Sequence, residues 1–176
     1  MKKGLIISGN LAQDHEFIYP YYRLLEAEYE VDVCLLEGVP VKGILGTVLP
    51  PNKQQEVKKI ADVHIEDYKV LVLPGGVKAM EKVRQEKKII KFISEIDKQK
   101  KIIACICSAA QLLISAKVVK GRKIAGYYSM KDDLINAGAI YTDLPAVIDK
   151  NIITTAHYKD MGPWMKAVIY QMKKSK

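Results

Sequence analysis

Short apolar runs alternate with amphipathic segments along the whole chain. Four runs have the length and the continuous hydrophobicity of strands that are buried on both faces. Buried strands that alternate with helices predict an α/β fold, in which helices cover both faces of a mostly parallel central sheet. The four runs are residues 4–8, 30–36, 68–73 and 101–106.

Apolar residues at helical spacing predict the segments that connect and follow these strands. Residues 146–148 and Ile152–Thr155 flank the turn residues 149–151, so we expect a hairpin there. Residues 118–122 are expected to form a loop. The predicted helices are residues 15–28, 79–98, 107–116, 132–137 and Met161–Lys174.

The segment 39–65 has the weakest pattern, because Pro40, Pro50 and Pro51 interrupt it. Short strands or a hairpin are expected at residues 41–48. A polar loop is expected to follow at residues 53–59, and a further short strand at residues 61–65.

The chain of 176 residues is expected to fold as a single domain over residues 1–176. The N-terminal apolar run is too short for a secretion signal, and no run approaches the ~20 residues of a membrane span. Three cysteines without framework spacing indicate a reducing compartment. The sequence therefore predicts a cytoplasmic protein that does not bind a membrane.

The net charge is +8, from 28 basic and 20 acidic residues. Such an excess raises the question of nucleic-acid binding. However, most of the basic residues are lysines and they are spread along the chain, which is typical of a solvated surface. Nucleic acid is therefore not an expected partner.

A cysteine surrounded by small residues marks the end of the fourth run. The segment Ala104–Ala110 reads ACICSAA, and Cys107 stands where a buried strand is followed by a helix. A small residue two positions before and after a nucleophile is typical of a nucleophile elbow. The start of the helix is expected to lower the thiol pKa. The alternative is a buried cysteine in a packing patch. Cys105-x-Cys107 lacks a second ligand pair, so no metal or cofactor is expected.

Two further segments that follow predicted strands contain candidate catalytic groups. Pro74-Gly75-Gly76 ends the third run, and its backbone N–H groups, with that of Ser108, are candidates for an oxyanion hole. Glu16 lies at the start of the first helix, where its carboxyl group could pair with Cys107. The alternative for Pro74-Gly75-Gly76 is a plain turn. The alternative for Glu16 is an acidic residue that stabilises the helix through its dipole.

These motifs, in this order, resemble those of the DJ-1/PfpI superfamily, and the PfpI branch in particular. Glu16–Pro20 is similar to its Glu-x-x-x-Pro, residues 71–76 to its LPGG segment, and residues 104–116 to its cysteine elbow. Residues 120–123 and 132–139 are similar to further PfpI motifs, as is His157-x-x-Asp160 with Trp164.

The resemblance implies a flavodoxin-like three-layer sandwich that forms a homodimer or a larger homo-oligomer. It also implies that Cys107 is the reactive thiol, that Glu16 is hydrogen-bonded to it, and that Gly76 and Ser108 supply oxyanion amides. Tyr127 would line the pocket. Glu81 matches an acidic residue that a neighbouring subunit contributes in the family, although the spacing here is one residue longer.

The chain departs from PfpI-type peptidases directly after the cysteine. Those proteins have histidine there, whereas this chain has Ser108. The general acid that expels an amine from a peptide is therefore missing at that position. His157 is a candidate substitute or a residue of the pocket rim.

Three functions remain open. The first is an enzyme of the glyoxalase or deglycase type, in which the Cys107 thiolate adds to a small reactive carbonyl and Glu16 moves a proton. The second is a cysteine peptidase or amide hydrolase of the PfpI type. The third is a redox sensor, in which an accessible thiol is oxidised, or a stress chaperone.

Overall fold

A seven-stranded, mostly parallel sheet forms the centre of the protein, in a computed structural model that describes residues 3–174. Its strand order is β10-β11-β7-β6-β1-β2-β5, and only β10 is antiparallel to its neighbour. The strands of this sheet are β1 (Lys3–Ser8), β2 (Glu30–Leu35), β5 (Val57–Lys58), β6 (Val70–Leu73), β7 (Ile102–Ile106), β10 (Val147–Asp149) and β11 (Ile152–Thr155).

Helices cover both faces of the sheet and complete the three layers. The helices α1 and α6 contact each other on one face, and α2 and α3 pack against α4 on the other. This arrangement confirms the predicted α/β sandwich. The helices are α1 (Asp14–Glu26), α2 (Val77–Val83), α3 (Lys87–Lys98), α4 (Ala110–Ser115), α5 (Lys131–Asn136) and α6 (Met161–Lys174).

The central strands are apolar because they are covered on both faces. Every residue of β6 and β7 is buried. The helices bury one stripe each, as α3 does with Ile89, Phe92, Ile93 and Ile96. The predictions of the four long strands and the C-terminal hairpin are thus confirmed, and β11 also pairs in parallel with β7.

The single helix predicted over residues 79–98 is two helices. The chain leaves helical geometry between Val83 and Lys87, and the Glu86 side chain caps α3 by accepting a hydrogen bond from the Lys88 N–H at 3.0 Å. The Arg84 guanidinium is fixed at the end of α2 by the Ser115 hydroxyl, at 2.9 Å. The fixed Arg84 side chain thus marks the end of one helix, and the Glu86 cap marks the start of the next, although the helical pattern of the sequence is continuous.

Two predictions for the segment 39–65 need correction, whereas its hairpin is confirmed as β3 (Val41–Lys42) and β4 (Val48–Leu49). The polar loop over residues 53–59 ends in the edge strand β5, which pairs with β2. The strand predicted at residues 61–65 is absent, because Ile60–Asp62 and Ile65–Asp67 form single 3-10 turns that pack their apolar residues against α3.

A second, small sheet lies beyond the central one. Its parallel strands are β8 (Lys123–Ile124) and β9 (Ile140–Tyr141), which follow the predicted loop at 118–122. Two-residue strands are too short to give a hydrophobic period, which is why the sequence did not indicate them.

The chain changes winding direction between β1 and β6, which are neighbours in the sheet. Loops that follow adjacent strands diverge at such a switch point and leave a crevice beyond the carboxyl ends of the strands. The segments after β1, β6 and β7 meet there, and they contain Glu16, Gly75 and Cys107.

Candidate active site

Cys107 lies in a sharp turn between β7 and α4. Its φ angle is +60°, a left-handed conformation that non-glycine residues seldom adopt. Cys105 and Ala109, on either side, are fully buried, and the Cys107 carbonyl accepts a hydrogen bond from the Tyr127 N–H at 3.2 Å. The turn predicted from the small residues is therefore present, and it holds a partly buried thiol at the switch point.

The Glu16 carboxyl group is the polar partner of this thiol. Glu16 lies in the first turn of α1 and is only 1% exposed. Its Oε2 accepts a hydrogen bond from the Gly75 N–H at 2.8 Å, and the carboxyl group also interacts with the Cys107 thiol. Three separate segments of the chain thus converge on one carboxyl group.

Burial decides the protonation of this pair. It raises the pKa of Glu16 to about 7, although the hydrogen bonds from Cys107 and Gly75 favour the carboxylate. Burial and the Glu16 carboxylate raise the pKa of the Cys107 thiol to about 12, against the opposing effect of the Ser108 amide. The sequence prediction of a lowered thiol pKa is therefore not supported, because burial and the neighbouring carboxylate outweigh the helix start.

The raised pKa of Glu16 makes stability depend on pH. In the unfolded chain Glu16 titrates near its ordinary pKa of 4.5, and in the folded protein near about 7. As the pH rises from 4.5 to 7, the unfolded chain loses this proton first, so the free energy of unfolding falls by about 3 kcal/mol.

The side chain of Gln in Glu16→Gln has no proton to lose. We therefore expect the unfolding free energy of this variant, measured by urea denaturation, to lack the decrease with pH that Glu16 causes. The difference in unfolding free energy between wild type and variant should therefore change by about 3 kcal/mol between pH 4.5 and pH 8. A difference that stays constant over this range would contradict the raised pKa.

The two glycines after β6 have different roles. The Gly75 N–H is engaged with Glu16, so it is not free to serve as the oxyanion donor that the sequence predicted. Gly76 starts α2 with φ +104°, and a Cβ there would lie 2.6 Å from the Gln13 backbone nitrogen. Only glycine fits this position, because the conformation and the space both exclude a side chain.

Asp14 anchors the β3–β4 hairpin beside the site. Its carboxylate oxygens accept hydrogen bonds from the N–H groups of Leu45, at 2.8 Å, and Thr47, at 3.0 Å. These bonds lower the pKa of Asp14 despite the opposing effect of its burial, which is the largest single influence. The hairpin is therefore tied to the same helix start that carries Glu16.

Aromatic rings form a wall next to the cysteine turn. The His157 ring lies 4.1 Å from that of Tyr158 and 6.1 Å from that of Tyr127, measured between centroids. Its Nδ1 accepts a backbone N–H two residues further on, at 3.3 Å. Tyr127 connects this wall to Cys107 through its own amide. The sequence analysis did not identify Tyr158 as part of this group of rings. Its position next to His157 in the chain was the only signal for it.

The last candidate, Glu81, and the third cysteine of the chain lie outside this group. Cys34 is buried in β2 and burial raises its pKa to about 12. Glu81 is exposed on α2. Within residues 3–174, no cluster of His, Cys, Asp or Glu is arranged to hold a metal ion. The same part of the chain contains no helix that is long and apolar enough to cross a membrane.

Comparison with known proteins agrees with the fold and the motifs. The chain belongs to the DJ-1/PfpI family, whose model matches residues 2–171. The deglycase PfpI of Pyrococcus furiosus is 35% identical over 97% of this chain and 99% of its own length. General stress protein 18 of Bacillus subtilis is 32% identical over 92% of each chain.

A solved structure shows the same architecture. It is a two-domain protein from Anabaena variabilis that contains DJ-1/ThiJ/PfpI-like and ferritin-like domains. The TM-score is 0.90 at 28% identity, over 98% of this chain. This chain spans 48% of that protein's length.

Proposed function

We propose that this protein is a cysteine-dependent enzyme that acts on small reactive carbonyl compounds, in the manner of a glyoxalase or deglycase. The observation that carries the proposal is the buried carboxyl group of Glu16, with a pKa of about 7, in contact with the Cys107 thiol. A group that titrates near neutral pH can both accept and return a proton during turnover.

The first step adds the thiol to an aldehyde. Glu16 takes the thiol proton while the sulfur forms a bond to the carbonyl carbon, and Glu16 then returns this proton to the carbonyl oxygen, which gives a hemithioacetal. With a 2-oxoaldehyde, the Glu16 carboxylate then moves a proton from C1 to C2, and the proton of the C1 hydroxyl group passes to the C2 oxygen. This transfer oxidises C1 to a thioester and reduces C2 to an alcohol.

Water completes the reaction by hydrolysing the thioester to a 2-hydroxy acid and the free thiol. The net change is the addition of one water molecule to the 2-oxoaldehyde, so electrons move only within the substrate. The N–H groups of Gly76 and Ser108 are the proposed donors to the oxygen that becomes negative.

The chemistry of the site favours this reaction over peptide hydrolysis. Expelling an amine needs a general acid beside the sulfur, and Ser108 follows Cys107 in this chain. A hemithioacetal requires only the proton that the thiol and the carboxyl group already share. The name of the Pyrococcus furiosus relative, deglycase, is in keeping with carbonyl chemistry.

Turnover of methylglyoxal, followed as lactate formation, tests the proposal. We expect wild type and Cys34→Ser to be active and Cys107→Ser to lose at least about 10²-fold in kcat/KM. A fluorogenic peptide should not be cleaved at a rate that depends on Cys107. Peptide cleavage would instead favour a hydrolase, and stoichiometric oxidation of Cys107 by peroxide without turnover would favour a redox sensor.

A further inference from the structure

Two adjoining grooves on the α3 side of the molecule have a local excess of basic side chains. The first groove, with a volume of about 520 Å³, runs between α3 and the end of α4. Its basic side chains are Arg84, Lys87, Lys91, Lys98 and Lys117. Of the described residues in its lining, only Glu95 is acidic, and it pairs with Lys98 at 2.7 Å.

The second groove, of about 470 Å³, continues from Lys98 to the amino-terminal ends of β7 and β11. It adds Lys100, Arg122 and Lys150 to the positive charges. Its one acidic side chain, Asp97, pairs with the Arg122 guanidinium at 2.9 Å. Because Lys98 lines both grooves, they form one continuous surface, which we call the basic strip.

Among residues 3–174, the basic strip holds eight basic and two acidic side chains, in a chain whose net charge is +8. Both acidic groups are already paired. Within residues 3–174, Lys91, Lys100, Lys117 and Lys150 form no ion pair, and all four are exposed. Uncompensated charges of one sign in a groove focus the field and attract anions.

Helix stability does not explain the positions of all these basic residues. Lys87, which lines the first groove, occupies the first turn of α3, directly after the capping residue Glu86. The positive end of the helix dipole disfavours cations there. Two of the three arginines of the chain, Arg84 and Arg122, also lie in the strip, one in each groove.

We propose that the basic strip binds the phosphate backbone of single-stranded nucleic acid. A flexible strand can follow grooves that a rigid duplex cannot enter. The described lining contains no aromatic ring on which a base could stack. Binding therefore depends on phosphate contacts and is independent of base sequence.

The strip is separate from the candidate active site. Its second groove lies at the amino-terminal end of β7, and Cys107 follows the carboxyl end of the same strand. A five-residue strand separates them by roughly 16 Å. Binding of a strand can thus be tested without reference to carbonyl turnover.

Fluorescence anisotropy with a labelled mixed-sequence 20-nucleotide DNA or RNA measures the proposed binding. Four phosphate contacts, one for each unpaired lysine, predict a slope of about −3 for log K against log salt concentration. Substituting Lys91, Lys100, Lys117 and Lys150 by glutamine together should weaken binding at least about 30-fold at 100 mM NaCl and flatten this slope. DNA and RNA strands should bind with similar affinity, and a duplex more weakly.

The matched control replaces four exposed lysines outside the strip by glutamine, which gives the same change in net charge. We expect this control to stay within about threefold of wild type, and both variants to retain wild-type turnover and circular dichroism. An equal loss in the control would overturn the proposal, as would undetectable binding by wild type, tighter binding of the duplex, or full competition by 10 mM inorganic phosphate. The control positions are Lys53, Lys78, Lys131 and Lys166.

Discussion

Replacing Glu16 with glutamine is expected to lower methylglyoxal turnover by roughly 10²- to 10⁴-fold. The carboxamide fills the same buried space and can still face the Gly75 N–H. It cannot accept a proton from the Cys107 thiol or carry one between substrate carbons, so the loss should appear in kcat. Glu66→Gln, an exposed change of the same chemistry, should leave kcat unchanged.

The same substitution should make Cys107 more reactive toward iodoacetamide. The Glu16 carboxylate raises the pKa of the thiol, and its removal leaves burial as the main remaining cause. We expect alkylation of Cys107 at pH 8 to become roughly tenfold faster. Peptide mass spectrometry would separate Cys107 from the buried Cys34 and Cys105.

The pH dependence of labelling adds a second readout. In wild type the thiol pKa is about 12, so the labelling rate should rise throughout the range from pH 7 to pH 10. In Glu16→Gln the thiol pKa should be lower, so the same labelling rates should be reached at lower pH. If turnover and labelling fall together, Glu16 is required for folding or access, and the proposed proton transfer fails.

The sequence predicted those parts of the fold that have a long hydrophobic period. The strands β1, β6 and β7 are continuous apolar runs because both of their faces are buried. The break between α2 and α3 was not predictable from hydrophobic periodicity. The contact of Arg84 with Ser115 depends on the tertiary structure. The cap that Glu86 forms with the Lys88 N–H is local, but it does not change the spacing of apolar residues.

The candidate site, like the fold, could be predicted only in part from the sequence. Small residues around Cys107 indicated the turn, because side-chain volume is a local requirement. The protonation of the site was not predictable, since the pKa of Glu16 depends on how completely α1 and β6 bury it. The role of the Gly75 amide likewise follows from the distance between two segments that lie 59 residues apart.

Gly75→Ala is expected to lower turnover strongly, although it adds only one methyl group. A Cβ at this position would lie 2.4 Å from Glu16 Oε2, 2.8 Å from Cys107 Cβ and 3.2 Å from Cys107 Sγ. All of these atoms belong to buried or partly buried groups that cannot move into solvent. The methyl group must therefore push the carboxyl group and the thiol apart, which removes the contact on which proton transfer depends.

The expected loss for Gly75→Ala is at least about 10²-fold in kcat/KM, because a displacement of about 1 Å at reacting groups is enough for such an effect. Overpacking should also cost about 1–3 kcal/mol of unfolding free energy, measured by urea denaturation. Gly162→Ala is the matched control, since no atom lies within 4 Å of a Cβ built at that position. In Gly75→Ala the thiol and the carboxyl group would no longer interact. The pH dependence of the unfolding free energy that Glu16 causes should therefore also change. Normal turnover in a folded Gly75→Ala protein would show that contact between Glu16 and Cys107 is not needed for the reaction.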